Sequence, residues 1–436
     1  MKAPITLRPA DRGAILRALA AGAVPRTGLQ HIQVGRLAEI TALRRDIEHV
    51  AGGGSSFRLV IGEYGAGKTF FLSLVRIVAL EHRLVTAHAD LGPYRRLHGT
   101  SGQARTLYAE AVRNLATRTA PDGGALGRIV ERFVTDAMKE APTAGLPVED
   151  VIDSKLAPIQ EQAGGYDYAA VLKAYWAGSQ KGNEALKAAA LRWLRGEYTT
   201  RSEAREALGV RSIIEDANIL DAFKSLARFV RVAGYAGLFV ILDELVNLYR
   251  IQNPLARGQN LEQILSMVND VMQRDGAGIG FVLGGTPDFL QDPRRGVFSY
   301  PALRSRLEEN SFARVGLVDL SGPVIRLPTL APEELFVLLS QIRSVFSGYD
   351  PSKHLVPDQA IMAFMADCRD RIGDAYFRTP RSTVRRFVQL LSLLEQNPGT
   401  DWQTLLDTSQ MPQGADDGAV SHGVIALHDD LTSIRI

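Results

Sequence analysis

The sequence predicts an α/β fold of three layers, a parallel sheet between helices, with a large helical insertion and a helical domain at its C-terminal end. Three observations predict it. Short apolar runs stand at residues 57–61, 84–89, 238–242, 279–283 and 324–327, the near-continuous pattern of strands covered on both faces. The first run leads into a glycine-rich turn and an apolar helix, and the second comes after that helix, which is the opening of a strand–helix–strand unit. Residues 101–230 carry helical patterns and few strand signals, a stretch too long for a plain crossover.

Along the chain, residues 11–22 and 36–50 read as helices, the second with Leu37, Ile40, Leu43 and Ile47 at helical spacing. Gly52, Gly53 and Gly54 break the chain before the strand at 57–61. Residues 70–80 are apolar enough for a largely buried helix, and the strand at 84–89 ends at Asp90. Leu107, Ala111, Val112 and Leu115 mark one helix of the insertion. Leu126, Ile129, Phe133 and Ala137 mark another, and Pro142, Gly145 and Pro147 separate it from the next stretch. Residues 185–194 and 213–232 are further helical runs. The strand at 238–242 ends on Asp243 and Glu244, a helix covers 261–272, and the strand at 279–283 runs into Gly284, Gly285 and Thr286. After the strand at 324–327, residues 332–346, 357–368 and 380–395 read as helices. The expected division is an N-terminal helical segment at 1–50, the start of the α/β core at 51–100, and the insertion at 101–230. The rest of the core occupies 231–330, the helical domain 331–400 and a polar tail 401–436. No internal repeat is evident.

Composition narrows the class. Of 436 residues, 46% are hydrophobic and 22% charged, which excludes a wholly disordered chain, a collagen-like repeat and a mucin-like stalk. Lys+Arg total 50 and Asp+Glu 48, a formal charge of +2. That balance gives no net-charge argument for nucleic acid and leaves a local basic face open. The one cysteine, Cys368, excludes an intrachain disulfide and a cysteine-rich zinc site, and fits a reducing compartment. Charges break every apolar run at residues 1–26, unlike an export signal. No apolar stretch approaches the roughly 20 residues of a membrane span, so a cytoplasmic protein without membrane contact is expected. His31, His88 and His98 do not form a spaced ligand set.

The segment Gly62-Glu63-Tyr64-Gly65-Ala66-Gly67-Lys68-Thr69 matches the phosphate-binding P-loop pattern in full. Its glycines let successive backbone N–H groups turn towards phosphate oxygens, and the helix entered at Phe70 adds its positive end. Lys68 is placed to reach the β- and γ-phosphates and Thr69 to ligate Mg²⁺, so ATP and Mg²⁺ are the expected ligands. Asp243, at the end of a buried strand, would hold the Mg²⁺ shell with Thr69. Glu244 would polarise the attacking water as general base. Thr286, at the next strand end, would orient that water or touch the γ-phosphate, with a strand-end cap as the alternative. Asp288 suits a turn. Arg294, Arg295, Arg304 and Arg306 come next. Phosphoryl transfer needs positive charge on its developing oxygens, and Arg306 or Arg304 could bring it from a neighbouring subunit, with a solvated helix face as the alternative. Arg381, after Pro380 at a helix start, could reach back to the γ-phosphate or be a surface arginine.

In this order, with these strand ends and a helical domain after them, the chain resembles an AAA+-type ATPase. More closely it resembles the ATP-binding proteins of bacterial BREX-type phage-defence loci, related to origin-recognition and STAND-like ATPases. The segments that carry this are Gly28-Leu29-Gln30-His31-Ile32-Gln33-Val34-Gly35-Arg36, Arg96-Leu97-His98-Gly99, Gly165-Tyr166-Asp167-Tyr168, Leu194-Arg195-Gly196-Glu197-Tyr198, Asp243-Glu244-Leu245-Val246-Asn247-Leu248-Tyr249 and Asp374-Ala375-Tyr376-Phe377-Arg378-Thr379-Pro380-Arg381. The resemblance implies a P-loop NTPase core of AAA+ type whose C-terminal helices form a lid. It implies adenine contacts from Val34, Gly35 and Arg36, and a restraint on Glu244 from Asn247. It further implies head-to-tail homo-oligomers, helicase-like or DNA-modifying partners of the same defence locus, and action on or near DNA. The favoured reading is Mg²⁺-dependent ATP hydrolysis coupled to conformational or assembly changes in that defence. The alternative is a STAND-like signalling switch or scaffold with slow turnover and no direct DNA contact. A scaffold that only binds nucleotide has no use for Glu244.

Overall fold

The computed structural model describes residues 7–161, 164–273, 278–308, 310, 319–372 and 380–408. The chain opens with α1 (Pro9–Ala20), α2 (Leu37–Ala51), β1 (Ser55–Gly62), α3 (Lys68–Glu81) and β2 (Leu84–Asp90). Seven helices come after β2: α4 (Gln103–Arg113), α5 (Leu126–Ala144), α6 (Val148–Gln160), α7 (Gly165–Gln180), α8 (Glu184–Leu194), α9 (Arg201–Leu208) and α10 (Ile219–Val232). Then come β3 (Gly237–Asp243), α11 (Val246–Tyr249), α12 (Pro254–Gln273), β4 (Ile279–Gly285), α13 (Pro287–Gln291), α14 (Pro301–Leu307) and β5 (Val324–Leu327). The last described elements are α15 (Pro332–Phe346), α16 (Asp358–Ile372), α17 (Pro380–Gln396) and α18 (Trp402–Thr408). Residues 409–436, most of the expected tail, lie outside the described residues.

The five strands among the described residues form one parallel sheet in the order β2-β3-β4-β1-β5. Side-chain alternation assigns its two faces. Val60, Ile241, Val282 and Ile325 meet Leu43 and Ile47 of α2 and Phe71, Leu72 and Val75 of α3. Leu59, Ile61, Val85, Val240, Leu242 and Leu283 point the other way, into a core shared with α4–α7, α10 and α12. Each fully buried side chain of this kind contributes about 1.5–3 kcal/mol, so a register slip would be costly on both faces. The helices on both faces give the three layers that the sequence predicts.

A separate apolar cluster joins α1 to the C-terminal helices. Ile15 and Leu19 of α1 and Ile32 pack with Leu339, Ile342, Phe364, Phe387 and Leu391 of α15–α17 and with Leu406 of α18. Arg12 Nε donates to Phe346 O at 2.6 Å across the same contact. Thus α1 stands with the C-terminal helices and α2 with the sheet.

Local departures from the sequence expectation have local causes. Pro142 lies inside α5, which continues to Gly145 in the left-handed conformation. A proline so near the helix end forfeits one hydrogen bond without stopping the helix. The run expected at 213–232 begins as a helix only at Ile219, because Asn218 Oδ1 accepts from Glu215 N at 2.8 Å and closes a short turn first. Helices α6, α7 and α9 carried no legible pattern. Pro158 interrupts the apolar spacing of α6, α7 is buried over most of its circumference, and α9 buries only Ala204.

Candidate functional site

The C-terminal ends of the strands meet the P-loop where β1 turns into α3. Gly65 and Gly67 take φ of 79° and 84°, a region open to glycine at little cost. No atom lies within 4 Å of where a Gly67 side chain would stand, so the loop faces open space. Lys68 folds back on its own loop, Nζ donating to Gly62 O at 2.8 Å and Glu63 O at 2.9 Å. Burial pushes the Lys68 ammonium down, against the opposing pull of Asp243, Glu244 and Glu63.

The parallel register brings the strand end of β3 to this loop. Thr69 Oγ1 donates to Asp243 Oδ2 at 2.8 Å, and Asp243 Oδ1 accepts from Glu244 N at 2.8 Å. Asp243 is buried and stands opposite Asp90 in the β2–β3 pairing. Burial raises the Asp243 carboxyl above the usual range, opposed by its hydrogen bonds from Thr69 and the Glu244 amide, while Asp90 adds to the rise. Partial burial, then the charges of Asp243 and Asp90, raises Glu244 as well. Glu244 holds φ of 62°, uncommon for a residue with a side chain.

A hydroxyl and a carboxylate in contact beside a phosphate-binding loop form an oxygen donor set that suits Mg²⁺, which keeps most of its waters and takes few protein ligands. Among the described residues no group of three His, Cys, Asp or Glu side chains is placed to hold a metal by itself.

A cavity of about 370 Å³ opens over the loop, within the size range of small-molecule sites. Tyr64 to Phe71 form its floor and Glu244 stands at its edge. Leu19, Val24, Pro25, Ile32 and Val34 wall one side, and Leu330, Leu338, Ile342, Arg381 and Val384 another. One half is thus apolar, fit for a flat ring, and the other is lined by the loop, fit for phosphates.

The structure brings together most, though not all, of the residues picked out in the sequence. Val34, Arg36, Tyr64, Gly65, Ala66, Gly67, Lys68, Thr69, Phe70, Glu244 and Arg381 line the cavity, with Gly62, Glu63 and Asp243 bonded directly behind it. Arg36 Nη2 donates to Ala66 O at 3.0 Å and to Pro328 O at 2.5 Å, so its guanidinium grips the P-loop backbone. Gly35 takes φ of 64°, and the Glu334 carboxylate fills the space where its side chain would be. Thr286 caps α13, Oγ1 accepting from Phe289 N at 3.4 Å. Arg304 faces Glu308 at 3.5 Å and Arg306 Nη1 donates to Ala302 O at 2.8 Å. These last three do not line the cavity. Arg295 is absorbed by Tyr249, whose carbonyl it reaches at 3.0 Å. Asn247 Nδ2 bonds two backbone carbonyls, Leu91 O at 3.0 Å and Glu244 O at 3.2 Å. Phe377, Arg378 and Thr379 lie outside the described residues.

Sequence reasoning missed the apolar walls and Asp90 as a neighbour of Asp243. The first had a signal, the apolar spacing of Leu335, Leu338, Leu339 and Ile342. The second needed the strand order. Among the described residues no helix is long and apolar enough to cross a membrane.

A family model, BREX system ATP-binding protein BrxC/D, matches residues 7–410 of the chain. No curated protein matches it significantly. The match takes in the P-loop, every strand of the sheet and every wall of the cavity, and the family carries ATP binding and a role in phage defence. The chain belongs to the BREX system ATP-binding protein family BrxC/D.

Proposed function

We propose that the chain is a Mg²⁺-dependent ATPase with a core of AAA+ type, and that hydrolysis drives conformational or assembly changes in the defence system, on or near DNA. The observation that carries this is the contact between Thr69 of the P-loop and Asp243 of β3, with Glu244 next in the chain at the cavity edge. The strand order and the C-terminal helices that wall the cavity support the AAA+ reading, and those helices would serve as its lid. The family supports ATP as the nucleotide and the same defence locus as the source of partners.

The residues divide the work. Val34 and the apolar walls hold the base, and Arg36 fixes the loop that receives the phosphates. Lys68 exchanges the carbonyls of Gly62 and Glu63 for phosphate oxygens. Thr69 and Asp243 would hold Mg²⁺, which when bound neutralises charge on the transferring phosphoryl group. Glu244, with its raised pKa, accepts the proton of the attacking water, and a poised carboxylate is more effective in that role than an ordinary one. Arg381 lies on the cavity wall, within the same chain, as the cation for the γ-phosphate. Arg304 and Arg306 would serve a neighbouring copy, which requires head-to-tail packing because a two-fold contact buries one patch against itself.

The test is Glu244→Gln. ATP affinity is expected to stay and phosphate release to fall about 100-fold or more, the scale of a lost general base. Undiminished phosphate release by Glu244→Gln, at unchanged ATP affinity, refutes the assignment. Duplex DNA added to the same assay separates a DNA-coupled motor, which it accelerates, from a slow nucleotide switch, which it leaves alone.

A further inference from the structure

Glu244 occupies a backbone conformation that residues with side chains avoid, and such a residue persists only where its surroundings over-determine it. Its own amide is held by Asp243 Oδ1 at 2.8 Å, and the next amide, Leu245 N, by Gly284 O at 3.0 Å. Its carbonyl accepts twice from one residue, from Asn247 N at 3.0 Å and from Asn247 Nδ2 at 3.2 Å. The same Nδ2 donates its other proton to Leu91 O at 3.0 Å. Leu91 in turn donates its amide to Asp243 O at 3.0 Å. One side-chain amide therefore ties the strained turn after β3 to the loop after β2.

That loop is itself built. Gly92 and Arg95 exchange backbone hydrogen bonds at 2.9 and 3.2 Å. Asn260 of α12 brackets His98, accepting from its N–H at 2.9 Å and donating to its carbonyl at 3.2 Å. A fixed loop gives Asn247 a firm point to pull against.

We propose that Asn247 is a positioning residue for hydrolysis: it acts on the Glu244 backbone, and holds the carboxylate at its station by tying the turn to Leu91. The proposal rests on the reading of Glu244 as general base. It differs from a restraint on the carboxylate itself, because Asn247 touches the carbonyl and leaves the acid unblocked. Geometry of this kind matters steeply, since a displacement of about 1 Å at a reacting group can cost about 100-fold in rate.

The test compares Asn247→Ala, Asn247→Asp and Asn247→Ser with wild type and Glu244→Gln. Alanine removes both bonds, aspartate sets a charge against two carbonyls, and serine keeps one short donor. The expected result is turnover lowered about tenfold or more in Ala and at least as far in Asp, with KM for ATP within about twofold. Hydrogen exchange is expected to rise at residues 91–96 and not in the P-loop. Wild-type turnover in Ala and Asp, with Glu244→Gln inactive, overturns the proposal and leaves the base assignment standing. Loss of ATP affinity or of fold in all three variants also overturns it, since Asn247 is then a structural residue. Glu244→Gln hydrolysing at the wild-type rate removes the base assignment and the proposal with it.

Discussion

Gly284 stands in β4 directly beside Asp243. A side chain at that position would fall deep inside contact with Asp243 Oδ1, with Leu72 Cδ1 at 3.0 Å and Asp243 Cγ at 3.2 Å. Leu72 is itself packed in the core, so the carboxylate must be the group that moves. To reach ordinary contact Oδ1 must retreat by about 1 Å, which disturbs its 2.8 Å bond from Glu244 N and, because the two oxygens are rigidly joined, carries Oδ2 off its 2.8 Å bond with Thr69. Gly284→Ala therefore separates the two proposed Mg²⁺ donors while leaving the P-loop intact. A hydrogen bond to a charged group is worth about 1.5–3 kcal/mol, or roughly 10- to 140-fold in affinity. The assay is anisotropy of a fluorescent ATP analogue titrated with and without Mg²⁺. Affinity without Mg²⁺ is expected to stay within about twofold, and the gain that Mg²⁺ brings to wild type is expected to shrink by the larger factor. Gly280→Ala, on the same strand as Gly284, is the control, because its side chain would strike Phe239 of the neighbouring β3, away from Asp243. Both variants overpack the sheet, at about 1–3 kcal/mol, and the Gly284 variant alone touches the site. An unaltered Mg²⁺ response in folded Gly284→Ala, or an equal loss in Gly280→Ala, would refute the reasoning.

Two further outcomes are expected from the same geometry. Lys68→Ala removes the cation that the loop carbonyls now hold, and ATP affinity measured by calorimetry is expected to fall about tenfold or more. Asp243→Asn is expected to raise the melting temperature of the nucleotide-free protein at neutral pH. Burial raises the Asp243 carboxyl above its ordinary 3.8, so the ionised form costs stability, fully above the raised value and not at all below 3.8. The advantage of the variant in thermal denaturation should therefore shrink as the pH falls towards 4, and an advantage that grows on acidification would contradict it.

Backbone chemistry that acts locally was legible in the sequence. The glycines at 62, 65 and 67 and the pair Lys68-Thr69 specify their loop wherever it stands, and every strand expected from an apolar run is present in the sheet. The contact of Thr69 with Asp243 depends on β3 lying beyond β4 from β1, which no local pattern encodes. Thr286 shows the limit from the other side. The chemistry of a hydroxyl at a strand end suits a γ-phosphate contact or a helix cap, and in this fold Oγ1 accepts from the nearby Phe289 amide, which leaves its own proton for a phosphate oxygen or a water. Helix α7 was hidden because a helix buried on nearly all sides has no face to display. Helix α9, with one buried residue, shows no apolar face either, and its one local signal, the Thr200 cap that accepts from Glu203 N at 3.3 Å, went unread.

The union of α1 with the C-terminal helices has a kinematic consequence. That unit is joined to the sheet body through two lengths of chain alone among the described residues, 21–36 after α1 and 328–331 before α15. Arg36, in the first, bonds Pro328, in the second, so the two passages lie side by side. Two adjacent crossings offer a single hinge line, and the lid proposed above would turn about it. The cavity lies between that unit and the sheet body, so a turn about that line would widen or narrow it. Arg36 also bonds Ala66 of the P-loop, so one guanidinium ties both crossings to the phosphate-binding loop, and such a turn would have to stretch its bonds.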